Sequence, residues 1–335
     1  FSIPKSLSCS PRQAPVSPAA PRPHARLAAP PLSTLIQTAS SYMKAGLAPS
    51  TLKTYTHAWL TFVKFCASQH IPHVPVLTSV VLAFITFCYV HRRLKPPYIR
   101  SLLAGINFFA KCLQTDFAPS LLSNHSIKLL LRGISKSYLP RPDPRKPITA
   151  PILKSLILTV RSSPYSPYVK SLLSSVYLLA FFGFLRLGEF TTPSNAFIPS
   201  RDLTISDLKF FPDHYSLYLK HSKGKGPVSV IIARLDCQFC PFLAMFEYAL
   251  NRHKIYPRSA PLFLTPEGLP MSSSWFLKFL RETLISCNLA PSQYSGHSFR
   301  IGAATSAASL GLPSASLQRL GRWSSSAYAS YIRPE

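Results

Sequence analysis

Four prolines fall within LPRPDPRKPITA, residues 139–150, and no regular helix or central strand can run through such a stretch. Apolar residues recur at helical spacing on both sides of it. The 335-residue chain is therefore expected to fold as two cored pieces joined by a linker at 139–150. Ahead of the linker, residues 33–138 read as helices throughout: Ser33–Ala45, a helix capped by Ser50 and Thr51, Thr78–His91, Pro96–Leu113 and Ile127–Ser137. Behind it, 151–335 is mixed. Helices are expected at Pro151–Val160, Val169–Phe184, Pro241–His253, Ser272–Cys287, Ser298–Leu310 and Ser314–Leu320. Three short strands are expected at Leu203–Phe211, Tyr215–His221 and Val228–Ala233. The fold class is thus mainly α with a small antiparallel β-sheet. Residues 1–32, rich in Pro, Ala and Ser, show no apolar period and read as a flexible basic arm.

Charge narrows the function. The chain carries 37 Lys and Arg against 11 Asp and Glu, a net +26. The excess is spread over both halves, with 18 basic and 2 acidic residues in 1–150 and 19 and 9 in 151–335. That distribution suits a surface enclosing a polyanion better than a single basic tail does. In the helical half the polar faces hold Lys44, Lys53, Lys64, Arg92, Arg93, Lys95, Arg100 and Lys111, and Asp116 is the only acid from 33 to 138.

Other classes are disfavoured. The seven cysteines are scattered and read as reduced thiols. Cys237 and Cys240 make one CxxC, but only His253 follows at a plausible distance, short of the four ligands of a structural zinc. The apolar runs Val74–Val90 and Val176–Leu185 fall short of the roughly 18–20 uninterrupted residues of a membrane span. No signal-peptide pattern opens the chain, and the start at Phe1 reads as that of a fragment or a processed piece.

Four segments carry chemistry. In GFLRLGEF a buried helix ends on Arg186, and Glu189, three residues on, is its candidate partner. In YLKHSKGKGPVSV three lysines, Lys220, Lys223 and Lys225, crowd a glycine-containing hairpin that can lay an ammonium against a phosphate. In SGHSFRIGAAT, His297 and Arg300 stand at i and i+3, so an acid–base group and a phosphate-gripping guanidinium share a helix face. In LGRWSSSAYASYIR, Trp323 offers an indole N–H, and Tyr328 and Tyr331 follow in a polar stretch expected to be flexible.

The order of these elements resembles the active-site series of the tyrosine recombinases, the phage-integrase family. The phrase SGHSFRIGAAT…LGRWSSSAYASYIR resembles in particular the recombinases of DIRS- and Ngaro-type retroelements and of Crypton transposons. The likeness covers roughly residues 33–335. It implies that 33–138 is a core-binding domain, with Lys44, Lys53, Arg92, Arg93, Lys95 and Arg100 against the DNA backbone, and that 151–335 is the catalytic domain. It further implies that Arg186 and Arg300 clamp the scissile phosphate, Glu189 orients Arg186, His297 handles the tyrosine proton and Trp323 hydrogen-bonds the phosphate. Lys223 would protonate the departing 5′ oxygen, and Tyr331 would attack phosphorus to leave a 3′-phosphotyrosyl link. Lys220 and Lys225 remain alternatives for the lysine, and Tyr328 for the nucleophile.

A free phenol has a pKa near 10, so about one in a thousand is ionised at pH 7, and neighbouring cations make the phenolate accessible. The covalent intermediate conserves the phosphodiester bond energy, so neither ATP nor a cofactor is called for, and no acidic cluster suggests a metal. The implied partner is double-stranded DNA, acted on by a homotetramer in the nucleus, with no membrane and no small-molecule substrate. The chain ends four residues after Tyr331, where many family members continue into another helix. A non-cutting DNA-binding protein descended from such an element is the alternative.

Overall fold

A computed structural model describes residues 30–113, 120–139, 144–194, 196–222, 226–257 and 260–333. The chain divides into two compact units, Phe1–Pro140 and Arg141–Glu335.

The first unit is helical: α1 (Leu32–Ala45), α2 (Pro49–Ser68), α3 (Thr78–Val90), α4 (Pro96–Leu113) and α5 (His125–Ser137). Prolines open α2 and α4, where the missing N–H costs no helical bond, so α2 starts at Pro49 with Ala48 at its N-cap and Ser50 and Thr51, expected as its cap, lie within its first turn. Asn124 starts α5 by accepting the Ile127 N–H at 3.2 Å. Phe62 of α2, Phe84 and Ile85 of α3 and Leu103 and Ile106 of α4 are fully buried in one core. Phe62 and Phe84 meet edge to face with centroids 5.4 Å apart.

The second unit is built around α7 (Pro167–Phe182), which follows α6 (Ala150–Ser162). From Tyr168 to Phe181 every residue of α7 is buried except Lys170, because the run is apolar nearly all round. Helices α9 (Pro241–Ile255) and α11 (His297–Ser309) pack on it, and α10 (Ser273–Ser286) packs on α6. Among the described residues no helix is long and apolar enough to cross a membrane. Between α7 and α9 lie the single turn α8 (Leu187–Phe190) and an antiparallel meander of β1 (Leu208–Phe210), β2 (His214–Leu219) and β3 (Val228–Ala233). Its register pairs Leu208 with Leu217 and Leu217 with Val230, so Tyr215, Leu217, Leu219, Val230 and Ile232 alternate into the core while Ile231 faces out. The fold is mainly α with one small sheet, as the patterning suggests.

Two local expectations change. The first strand is shorter than Leu203–Phe211, because the Asp207 carboxylate accepts both the Thr204 N–H and its hydroxyl at 2.7 Å and winds 205–207 into a turn. The polar stretch before Tyr331 takes regular structure: after α12 (Ser314–Gly321), Ser326–Tyr331 forms a 3₁₀ turn, with Ser325 capping it and Thr305 donating to the Tyr331 carbonyl at 3.3 Å.

The end of the proline-rich stretch belongs to the second unit's core. Ile148 is fully buried, its N–H donates to Ser298 at 3.0 Å, and the Lys146 N–H donates to Gln293 at 2.7 Å. Gly302 permits this, since a Cβ there would lie 1.8 Å from the Ile148 carbonyl oxygen.

Candidate active site

The site begins with how α7 ends. Gly183 closes the helix and Phe184 turns the chain with a left-handed φ of 48°, a conformation that disfavours a Cβ-bearing residue. The turn presents two backbone carbonyls, Gly183 and Phe184, to guanidinium groups from far along the chain. Arg186 then stands at the N-cap of α8, and Glu189 at its third position accepts the Arg186 backbone N–H at 2.9 Å. The same carboxylate pairs with the Arg186 guanidinium at 2.9 Å. This i, i+3 relation is local, which is why the sequence revealed it.

Glu189 has two further partners that the sequence did not reveal. The Arg322 guanidinium donates to it at 2.8 Å, and the Ser222 hydroxyl at 3.2 Å. Arg322 also donates to the Gly183 carbonyl at 3.0 Å and to the Phe184 carbonyl at 3.4 Å. Its backbone is left-handed at φ 56°, where it caps α12.

Arg300 lies on α11, one turn after His297, and is completely buried. It donates to the carbonyls of Phe184 and Gly321. The Trp323 ring covers it with 4.3 Å between guanidinium carbon and ring centre, and the Tyr331 ring lies at 5.5 Å. Gly321 makes room for the indole, because a Cβ there would lie 1.7 Å from the Trp323 ring. Burial pushes the Arg300 pKa down to about 10, reinforced by the positive charges of Arg186 and Arg322 and opposed by Glu189. Burial likewise lowers that of Arg322, with Glu189 opposing. Arg300 nevertheless keeps its proton at neutral pH, so a third guanidinium charge stands beside the carboxylate that Arg186 and Arg322 share.

Tyr331 sits among the other expected residues. Its ring centre is 5.1 Å from that of His297 and 5.0 Å from that of Trp323. A cavity of about 120 Å³ beside it is lined by Arg145, His297, Ile301, Ser330, Tyr331 and Arg333. Tyr328 also approaches Trp323, with 6.4 Å between ring centres, against 5.0 Å for Tyr331. Thus Arg186, Glu189, His297, Arg300, Trp323 and Tyr331 come together from segments spread over about 145 residues.

The lysines divide differently. Lys223 and Lys225 lie outside the described residues. Lys220 is committed elsewhere: its ammonium pairs with Asp207 and donates to the Asp202 carbonyl at 3.0 Å and to Thr204 at 3.3 Å. Among the described residues no group of His, Cys, Asp and Glu could hold a metal.

In the first unit Lys53, Arg92, Arg93, Lys95 and Arg100 are all exposed. Lys44 falls on α1, and its side chain lies outside the described residues. Arg100 donates to Ser135 at 3.0 Å and joins Lys128, Arg132 and Lys136 of α5 around a shallow groove of about 470 Å³. The sequence reading passed over those three, although their spacing of four residues marks one face of a helix.

Among solved structures, the XerH site-specific recombinase bound to its difH substrate aligns with 90% of this chain and 79% of its own, at 14% identity and a TM-score of 0.60. The fold is that of the tyrosine recombinases. A λ integrase dimer bound to a COC′ core site aligns with 90% of this chain and 94% of its own, at 14% identity and TM-score 0.56. The Tn1549 transposon integrase in complex with circular intermediate DNA aligns with 79% and 83%, at 16% identity and TM-score 0.53. No family model matches the sequence, and no curated protein does. At these identities the recombinase likeness is one of fold.

Proposed function

We propose that this chain is a DNA breaking-and-rejoining enzyme, a tyrosine recombinase of a mobile element. The observation that carries the reading is the meeting of Tyr331 with His297, Arg300 and Trp323 beside the Arg186–Glu189 pair. A phenol, an imidazole and clustered guanidiniums are the groups that attack on a phosphodiester requires.

In this reading the Tyr331 oxygen attacks phosphorus and the bond from phosphorus to the 5′ oxygen breaks. His297 takes the phenol proton. The 5′ oxygen leaves with a proton from a lysine of the β2–β3 hairpin. The commitment of Lys220 to Asp207 favours Lys223 for that step, with Lys225 as its neighbour. Arg186 and Arg300 balance the charge that builds on the non-bridging oxygens, and Glu189 fixes Arg186 in one pose. Arg186 keeps 22% of its side chain exposed, whereas Arg300 lies beneath Trp323 and Tyr331. Engaging the phosphate therefore involves a shift of those two rings and an exchange of Arg300's carbonyl partners for phosphate oxygens.

The substrate is duplex DNA, consistent with the net +26 charge and the exposed basic residues of the first unit. A homotetramer on two duplexes, action in the nucleus and origin in a DIRS-, Ngaro- or Crypton-type element extend the reading through the C-terminal phrase SGHSFRIGAAT…LGRWSSSAYASYIR.

A nicked suicide duplex carrying the element's terminal sequence tests it. The expected result is a covalent protein–DNA adduct on a denaturing gel that Tyr331→Phe abolishes and Tyr328→Phe retains. Loss only with Tyr328→Phe would reassign the nucleophile. No adduct from a wild-type chain that binds the duplex would favour the non-cutting DNA-binding protein.

A further inference from the structure

Arg322 has no place in the reaction as set out above, yet it touches the carboxylate that holds Arg186 and one of the two carbonyls that hold Arg300. Its guanidinium shares the Glu189 carboxylate with Arg186, taking Oε2 at 2.8 Å while Arg186 takes Oε1 at 2.9 Å. It shares the Phe184 carbonyl with Arg300. It also donates to Gly183, the residue that ends α7 just ahead of that turn.

The geometry around it is costly. Arg322 is only 7% exposed, its charge is disfavoured by burial, and its backbone is left-handed. Phe184, whose carbonyl it contacts, is left-handed as well. Five residues other than glycine take a positive φ among the described residues, and these two face each other across 138 positions. A buried arginine in such a conformation persists only if the surroundings over-determine it, and here the surroundings are the supports of Arg186 and Arg300.

We propose that Arg322 is the positioning residue of the arginine pair: it sets Arg186 through Glu189 and Arg300 through the Phe184 carbonyl. One guanidinium with a fork of donors can hold a carboxylate and two carbonyls at once, whereas an ammonium cannot match that planar arrangement. Binding to a phosphate by Arg322 itself is not part of the proposal, which rests on the carboxylate and carbonyl contacts of its two terminal nitrogens. The kinetic half of the test rests on the recombinase reading; the spectroscopic half does not.

The experiment compares the full-length chain with Arg322→Lys and Arg322→Ala. It measures single-turnover adduct formation on the suicide duplex with an ordinary phosphodiester or a neutral methylphosphonate at the scissile position. It also records arginine side-chain NMR spectra of ¹⁵N-arginine-labelled protein. Arg322→Lys is expected to slow adduct formation about 100-fold on the phosphodiester, the scale of a misplaced reacting group, with duplex binding unchanged. On methylphosphonate, which lacks the charge the arginines serve, the loss shrinks to a few-fold. The Nε–H resonances of Arg186 and Arg300 shift or broaden in the same variant. Arg322→Ala exaggerates both effects if it folds, and Arg322→Lys decides the matter if it does not.

Equal losses on the two substrates, full activity of Arg322→Lys, or unmoved Arg186 and Arg300 resonances would each overturn the proposal. Moved resonances in a chain whose wild type forms no adduct would uphold the positioning role and remove the recombinase reading.

Discussion

The Arg300 guanidinium lies 4.3 Å from the centre of the Trp323 ring, and the indole nitrogen of Trp323 is buried without a hydrogen-bond partner. The ring face covers a buried cation, and the N–H is the donor that the recombinase reading assigns to the phosphate. Trp323→Phe keeps a face over Arg300 and is expected to cost about 1–2 kcal/mol of unfolding free energy, against about 3–5 for Trp323→Ala. Urea titrations of the two variants measure the difference. Equal costs would mean that the ring face contributes nothing specific.

Glu189 is the sole carboxylate among three guanidiniums in this cluster. Glu189→Gln keeps the shape and removes the charge, leaving the buried Arg322 and the half-buried Arg186 without their carboxylate. The expected destabilisation is about 3–5 kcal/mol, as for other broken buried pairs. The Arg300 pKa moves further down, because Glu189 is one of the groups holding it up. Denaturant midpoints check the first expectation, and arginine NMR titration above pH 8 the second.

Gly302 lies against the Ile148 backbone, leaving no room for a Cβ. Gly302→Ala drives a methyl into the Ile148 backbone, which cannot give way as a flexible side chain would. The expected cost is at least about 2 kcal/mol, in the range of overpacked cores. Gly133→Ala, with open space around its Cβ, serves as the contrast and is expected to gain slightly from helix propensity. Thermal melts rank the two.

The α5 groove predicts a change in salt dependence. If Lys128, Arg132 and Lys136 lie against phosphates, changing all three to Gln reduces the slope of log K against log salt by about 2–3, near 0.9 per lost contact. Duplex binding measured from 50 to 300 mM salt gives the slope. An unchanged slope would place DNA elsewhere on the first unit.

The lysine assignment separates by leaving-group chemistry. Lys223→Met is expected to slow cleavage about 100–10,000-fold on a normal substrate and to recover when the 5′ bridging oxygen is replaced by sulfur, which departs without a proton. Lys220→Met instead releases Asp207 from its ion pair, so its effect is on stability and sulfur does not correct it. Cleavage rates on the paired substrates distinguish the two.

Much of this was open to reading from sequence alone because it is local. The helix starts expected at Pro96 and Ser272 are set by which backbone groups a nearby residue can satisfy or spare. Glu189 meets Arg186, and His297 shares a turn with Arg300, because three residues span about one helical turn. Tertiary structure decided the rest. Nothing near Arg322 in sequence shows that its side chain turns inward, because the Gly183 and Phe184 carbonyls that receive it lie about 140 residues away. The withdrawal of Lys220 to Asp207 and the covering of Arg300 by Trp323 are likewise settled between distant segments. Periodicity tells which face of a helix is apolar. Where a buried charge finds its partners depends on which carbonyls and carboxylates the folded chain leaves unpaired around it, and only packing determines that.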